Sequence, residues 1–273
     1  MRVLVLGVLG CSVPALDYDG KQCPCPSGFT CNPATNTCTS GVPLGDGHLP
    51  TDVPIDQSST SSCAGFDLCD GFEAASFAPV WMTSASITLD TTHAHRGAQA
   101  VHVHRDALAM GQGGYSQLGE AQSLATTQHV WVRAWFYLSA LPASMNHFEL
   151  VSIEQPTGSN LGDYLFVAPA DTQIYSEFSD AVNGTNVAVP TNTWFCAVLE
   201  LQRATGATGV LALTSDVLPS TTISATQTDG SPPIGDLWLG IGFATPAVKA
   251  AQPALDLWID DVIVHHAAVT CAD

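Results

Sequence analysis

The sequence predicts an all-β protein: a two-sheet antiparallel β-sandwich of the jelly-roll kind, preceded by a small disulfide-rich module and a flexible linker. Three observations predict it. Apolar and polar residues alternate in short runs, with turn residues between them, across residues 63–273. No segment carries the 3.6-residue periodicity of an amphipathic helix. Thr, Ser, Val and Gly are abundant and lysine is nearly absent, a mix that suits strands and turns.

The alternating runs, in order, are Ala100–Arg105, Val130–Leu138, Phe148–Glu154, Tyr164–Ala168, Trp194–Gln202, Val210–Thr214, Leu237–Phe243 and Leu255–His265. Turns are expected at Gly111–Gly114, Asn183-Gly184, Gly206 to Gly209 and Asp229–Pro233. No internal repeat is evident, which argues against a propeller.

The 273 residues are 46% hydrophobic and only 12% charged, with 7 Lys+Arg against 25 Asp+Glu and a net charge of −18. Seven scattered cations cannot track a phosphate backbone, so nucleic acid is excluded as a partner. No run of 18 uncharged apolar residues occurs, so no conventional membrane-spanning helix is expected.

Nine cysteines leave one over after pairing. Met1-Arg2 is a minimal positive region, Val3 to Leu9 a short apolar run, and Val8-Leu9-Gly10-Cys11 resembles a bacterial lipobox. That resemblance implies a signal over 1–11, lipidation of Cys11, and a lipid anchor in the cell envelope. Ser12 in place of Asp points to the outer membrane of a Gram-negative bacterium. The alternative is a hydrophobic N-terminal strand with a free thiol. Residues 12–40 hold Cys23, Cys25, Cys31 and Cys38, whose spacing resembles part of an EGF-like module. So short a segment needs two disulfides, and the four cysteines allow three pairings. Residues 41–62, rich in Gly, Pro, Asp, Ser and Thr, read as a linker.

Residues 63–273 open with Cys69-Asp70-Gly71-Phe72-Glu73 and Trp81, and close with Trp258-Ile259-Asp260-Asp261-Val262-Ile263-Val264 and Cys271. Between them stand Arg96-Gly97-Ala98-Gln99-Ala100-Val101, Trp131-Val132-Arg133-Ala134-Trp135 and Trp194-Phe195-Cys196-Ala197-Val198-Leu199-Glu200. This order resembles the concanavalin A-like lectin/glucanase superfamily, in particular its laminin-G-like and MAM-like jelly rolls. The resemblance implies two curved antiparallel sheets, one of which often binds glycans. It also implies that the first and last strands pair. One antiparallel register sets Glu73 opposite Asp261 and Cys63 opposite Cys271, which predicts disulfides Cys63–Cys271 and Cys69–Cys196. Asp70, Glu73, Asp260 and Asp261 then form a candidate structural calcium site, with Asp260 at the position that binds calcium in laminarinase-type relatives. The alternative is a pair of aspartates that hydrogen-bond loop amides.

Three further patterns bear on function. Arg133, Trp135 and Tyr137 share one strand face with Trp131, and Glu200 can extend it; aromatic faces beside planar polar groups suit glycan stacking. Tyr175 with Glu177 can extend the same surface. Glu149 and Glu154 resemble the catalytic strand of laminarinase-type glycosidases, but Val151 stands where that pattern has an aspartate. Five residues apart on a regular strand they face opposite sides, so both reach one cleft only across a bulge. His102 and His104 share a face and can hold zinc, given a third ligand that the sequence does not place. An alginate-lyase-type site is not supported, since Arg133 is the one matching arginine and Glu154-Gln155-Pro156 lacks the histidine. The reading is a surface-anchored protein that binds glycan or a glycosylated surface without catalysis. A structural or protein-adhesion role stands second, and glycoside hydrolysis through Glu149 and Glu154 third.

Overall fold

The computed structural model describes the backbone of Thr30–Asn32 and Thr37–Thr39 and residues 63–84, 86–120, 128–155, 161–203, 208–226, 234–244 and 248–273. The expected lipidation site at Cys11, Cys23, Cys25 and the linker 41–62 lie outside the described residues. The chain divides into two compact units, Met1–Pro54 and Ile55–Asp273.

In the first unit, β1 (Thr30–Asn32) and β2 (Thr37–Thr39) form an antiparallel pair with Cys31 opposite Cys38.

The second unit is an all-β sandwich, with no helix among its described residues. Its strands begin with β3 (Leu68–Asp70), β4 (Trp81–Met82), β5 (Ile87–Asp90), β6 (Ala100–Arg105), β7 (Gly114–Glu120), β8 (His129–Leu138) and β9 (Phe148–Glu154). They continue with β10 (Gly162–Val167), β11 (Thr172–Ser176), β12 (Ala181–Gly184), β13 (Trp194–Gln202) and β14 (Thr208–Ser215). The last are β15 (Thr221–Thr226), β16 (Leu237–Phe243) and β17 (Leu255–His265). One sheet has seven strands in the order β12-β11-β10-β9-β16-β7-β4. The other has eight, β15-β14-β13-β8-β17-β6-β5, with β3 pairing β17 beyond the end of β6.

The alternation explains the layering. Val130, Val132, Ala134, Phe136 and Leu138 of β8 are buried in the core, as are Phe148, Val151 and Ile153 of β9. Phe195, Leu199, Leu201, Leu237, Leu239, Ile241 and Phe243 fill the space between the sheets. Each such side chain contributes roughly 1.5–3 kcal/mol by leaving water. One ion pair interrupts this core: Arg203, after β13, donates to Asp163 of β10 at 3.0 Å, and both are essentially inaccessible. The Arg203 guanidinium also lies 4.0 Å from the centre of the Phe178 ring.

The disulfides differ from the expected pairing. They are Cys63–Cys69 and Cys196–Cys271. The first and last strands do pair, but Asp70 lies opposite Val262, two residues from the expected register, and β3 begins only at Leu68. The ladder therefore never reaches Cys63. A turn through Gly65, at φ +100°, brings Cys63 back toward Cys69. Cys271 closes instead on Cys196 of β13 and clips the C-terminal segment over the outer face of the eight-stranded sheet, with Ile263 and Val269 packed beneath.

Candidate functional site

The outer face of the seven-stranded sheet gathers the chemistry. Its key is a bulge in β9. Val151 lies opposite Leu165 and Glu149 opposite Phe166, so Leu150 is the extra residue. Leu150 joins the core with Val151, and Glu149, Ser152 and Glu154 all turn outward. Register then places Tyr164 and Trp238 beside Ser152, Gly162 beside Glu154, and Phe166 and Gly242 beside Glu149.

Aromatic rings line this face. Tyr164 and Phe166 are stacked, 5.4 Å apart and 8° from parallel, and Tyr175 of β11 extends the row at 6.2 Å from Tyr164. His147 meets Phe166 edge-on at 5.0 Å. Trp238 lies against Gly119 of β7, where a Cβ would fall 2.3 Å from the indole ring. Gly242 opens space of another kind: a Cβ there would meet Gln117 Nε2 at 2.7 Å, the Tyr115 ring at 2.9 Å and Glu149 Oε2 at 3.0 Å. Those three side chains thus converge over one glycine.

The face is acidic. Glu149 is buried, and burial with the nearby charges of Glu154 and Glu177 pushes its carboxyl up to about 7, against the hydrogen bond it accepts from Ser152 Oγ at 3.1 Å. Burial and the charges of Asp236 and Glu177 also raise Glu154. Tyr164 donates to Glu177 at 3.0 Å, and burial with the same carboxylates drives its phenol above the usual range. Tyr115, exposed at the rim, is raised by partial burial, Glu149 and Glu154. His147 is pushed down by burial and by Lys249. Arg203 is bound to Asp163, Arg96 sits beside Asp261, and Arg105 reaches the rim only to donate to the Tyr115 carbonyl.

The stripe expected to bind glycan lies on the other sheet. Arg133 is 3% exposed and donates to the carbonyls of Asp273 and Asp261, so the chain's own C-terminal segment occupies it. Trp135 stacks on His95 at 3.7 Å. Tyr137 stands among His93, Trp194 and Trp258, and Glu200 pairs with His129 at 2.9 Å. Tyr175 and Glu177 do not extend this stripe, because Tyr175 lies on β11 of the opposite sheet and Glu177 in the turn that follows it.

The carboxylates expected to bind calcium hold loops. Asp70 accepts from the Phe72 amide and from Trp81 Nε1. Both oxygens of Glu73 accept from the Ala98 amide. Asp260, fully buried, accepts from the amides of His95, Arg96 and Asp261. Asp261 accepts or shares a proton with His95 Nδ1 at 2.7 Å. With every Asp70, Glu73 and Asp260 oxygen turned to an N–H, and no grouping of these carboxylates within a metal's reach among the described residues, the set does not fit a six-to-eight-oxygen cage.

Tyr115, Gln117, Tyr164 and Trp238 and their glycines were missed by the sequence reading. The available signal was the alternation Trp238-Leu239-Gly240-Ile241-Gly242, in which Leu239 and Ile241 are core and the two glycines leave room for close approach by Gln117, Tyr115 and Glu149.

No protein-family model matches the chain, and no curated protein sequence matches it. Solved structures do. The chain is similar to a cellulose-induced protein, Cip1, at 19% identity and TM-score 0.57, covering 75% of this chain and 99% of that one. It is similar to an endo-β-1,4-glucuronan lyase from the fungus Trichoderma reesei at 13% identity and TM-score 0.51, covering 75% and 92%. It is also similar to an alginate lyase from Aplysia kurodai at 10% identity and TM-score 0.51, covering 68% and 89%. At these identities the likeness establishes the fold alone, an antiparallel β-sandwich.

Proposed function

We propose that this protein binds an uncharged glycan chain along the outer face of the seven-stranded sheet. The observation that carries the reading is the β9 bulge, which sets Glu149, Ser152 and Glu154 on one side with Tyr164, Phe166, Tyr175 and Trp238. Aromatic rings stack on the apolar faces of sugars, and carboxylates accept hydrogen bonds from their hydroxyls. Three of the similar folds are named for cellulose induction or for lyase action on polysaccharides, which supports a carbohydrate at coarse level. Charge decides the class. Glucuronan and alginate carry a carboxylate on each sugar, and this face already crowds carboxylates enough to raise Glu149 and Glu154. A polyuronate would add like charge, so a neutral chain is preferred.

The test is affinity electrophoresis through gels of neutral β-glucans and of polyuronates. Retardation by a neutral glucan, weakened tenfold or more by Trp238→Ala or Tyr175→Ala and unchanged by Tyr137→Ala, is the expected result. Retention by polyuronate alone, or loss with Tyr137→Ala only, overturns it.

A second reading, hydrolysis of the bound chain, rests on the same bulge and on the neutral-range carboxyl of Glu149. A group protonated near pH 7 can act as general acid toward a glycosidic oxygen, with Glu154 as the second carboxylate. Release of reducing ends that Glu149→Gln lowers by roughly 10²–10⁴-fold, with binding retained, would establish it.

The Cys11 lipobox-like segment further suggests a lipid tether that presents this face from a membrane; incorporation of a clickable palmitate analogue, lost in Cys11→Ser, is the check.

A further inference from the structure

We propose that His102, His104 and Asp256 form a binding site for a divalent transition-metal ion of the zinc–copper class, on the outer face of the eight-stranded sheet. The sequence places two imidazoles on one face of β6. The fold supplies the third ligand: in the antiparallel pairing of β6 with β17, Asp256 lies directly opposite His104, and Trp258 opposite His102. His102 Nε2 stands 2.9 Å from Asp256 Oδ1, and His104 Nδ1 stands 2.7 Å from the same oxygen. The three ligand atoms lie within 4.8 Å of one another.

The geometry suits such an ion. Ligands bonded at ~2.0–2.2 Å in a tetrahedral site sit about 3.4 Å apart, so small side-chain rotations open the hydrogen-bonded triad to admit it. Two imidazoles and one carboxylate are borderline donors that suit zinc or copper(II) rather than magnesium or calcium. The side chains are 26%, 41% and 36% exposed, which leaves the remaining coordination positions to water.

The surroundings hold the ligands in place. His104 turns its other nitrogen, Nε2, toward Asp106 Oδ1 at 3.4 Å, the carboxylate–imidazole arrangement that orients metal-bound histidines. The His102 ring stacks on Trp258 at 4.7 Å and 17° from parallel, and Trp258 is itself pinned by its Nε1 donating to Asp90 at 2.6 Å. Ser139 Oγ accepts from the Asp256 amide. A net charge of −18 draws divalent cations to the surface.

A second triad, Asp67 with His265 and His266, provides the contrast. There too one oxygen, Asp67 Oδ2, serves both imidazoles, but unlike Asp256 Oδ1 it also accepts a backbone amide, that of His266, at 2.8 Å. Its carboxylate is spent on the turn after β17, and the two rings come from adjacent residues. That arrangement anchors a chain end.

The experiment is calorimetric titration of the metal-stripped full chain with zinc chloride, alongside its visible spectrum with cobalt(II). The expected result is saturable binding and a tetrahedral-type cobalt spectrum, both weakened tenfold or more in Asp256→Asn and in His104→Gln and retained in His266→Ala. Wild-type protein without saturable binding at millimolar zinc overturns the site. So does binding that survives Asp256→Asn and His104→Gln, or that is lost only with His266→Ala. Should a variant fold poorly, substoichiometric copper(II) added to the wild type gives the second measurement. Selective broadening of the His102 and His104 imidazole resonances supports the site, and uniform broadening of all histidines counts against it.

Discussion

Glu149 and Glu154 lie five residues apart on β9 and nonetheless face the same side, because Leu150 is an extra residue that the neighbouring strand does not match. A regular strand would have sent one of them into the core. The bulge therefore creates an acidic face and also determines its ionisation, since Glu154 and Glu177 both act on the buried Glu149.

This crowding makes stability pH-dependent in a definite sense. Glu149 has its folded-state value near 7, above the ordinary 4.5. The folded protein holds that proton more tightly, so its stabilising effect is complete below about pH 4.5 and is lost as pH rises through 7. Asp260, also near 7 through burial and the adjacent Asp261, acts in the same direction. The melting temperature should fall between pH 5 and pH 8. Glu149→Gln should flatten part of that fall and gain up to about 3 kcal/mol at pH 8. A wild-type curve that rises over this range would refute the assignment.

Gly119 should be required for the binding face more than for the fold. A side chain there would strike the Trp238 ring, which must then leave its place against β7. Gly119→Ala is expected to cost about 1–3 kcal/mol of stability through overpacking. It should weaken glucan binding as much as Trp238→Ala does. A variant with wild-type affinity would show that Trp238 takes no part.

Most of the sandwich could be read from alternation alone. The runs Ala100–Arg105, Phe148–Glu154, Trp194–Gln202, Leu237–Phe243 and Leu255–His265 coincide with strands, because each buries one face on a common core. β7 was not legible. Its sequence, Gly114-Tyr115-Ser116-Gln117-Leu118-Gly119-Glu120, has a single large aliphatic residue, because its outward positions serve Trp238 and the convergence with Glu149. The turn expected at Gly111–Gly114 runs directly into it. The bulge was equally hidden, as no local residue choice in Glu149–Glu154 distinguishes an extra Leu150 from a regular core leucine. The stripe on β8 illustrates the opposite limit. Alternation correctly places Arg133 and Trp135 on the outer face, but a C-terminal segment held by Cys271 covers them, and strand periodicity carries no information about what lies above a sheet.

The Arg203–Asp163 pair should be costly to break. Both groups are buried, they bridge one sheet to the other, and each is left charged in an apolar interior if its partner is removed. Asp163→Ala is expected to lose about 3–5 kcal/mol, whereas a joint replacement by apolar residues of similar size should recover most of it. Equilibrium urea unfolding of the two single variants and the double variant measures this. Additive losses in the double variant would mean the pair is not coupled.

The Cys196–Cys271 bridge closes a loop of 75 residues in sequence separation and holds the chain's end over Arg133. Cross-linking at that separation lowers the entropy of the unfolded chain by the equivalent of about 4 kcal/mol. Non-reducing peptide mapping should recover Cys196–Cys271 together with Cys63–Cys69. Cys271→Ser should reduce stability by roughly 2–5 kcal/mol and leave a cysteine at position 196 that reacts with thiol reagents once the segment lifts. Hydrogen exchange would then rise first after β17, where Val269 leaves its packing on Ile263, before it rises in β8 and β13. A uniform increase across both sheets would instead mean that the bridge stabilises the sandwich as a whole and that the C-terminal segment is not a separately opening flap.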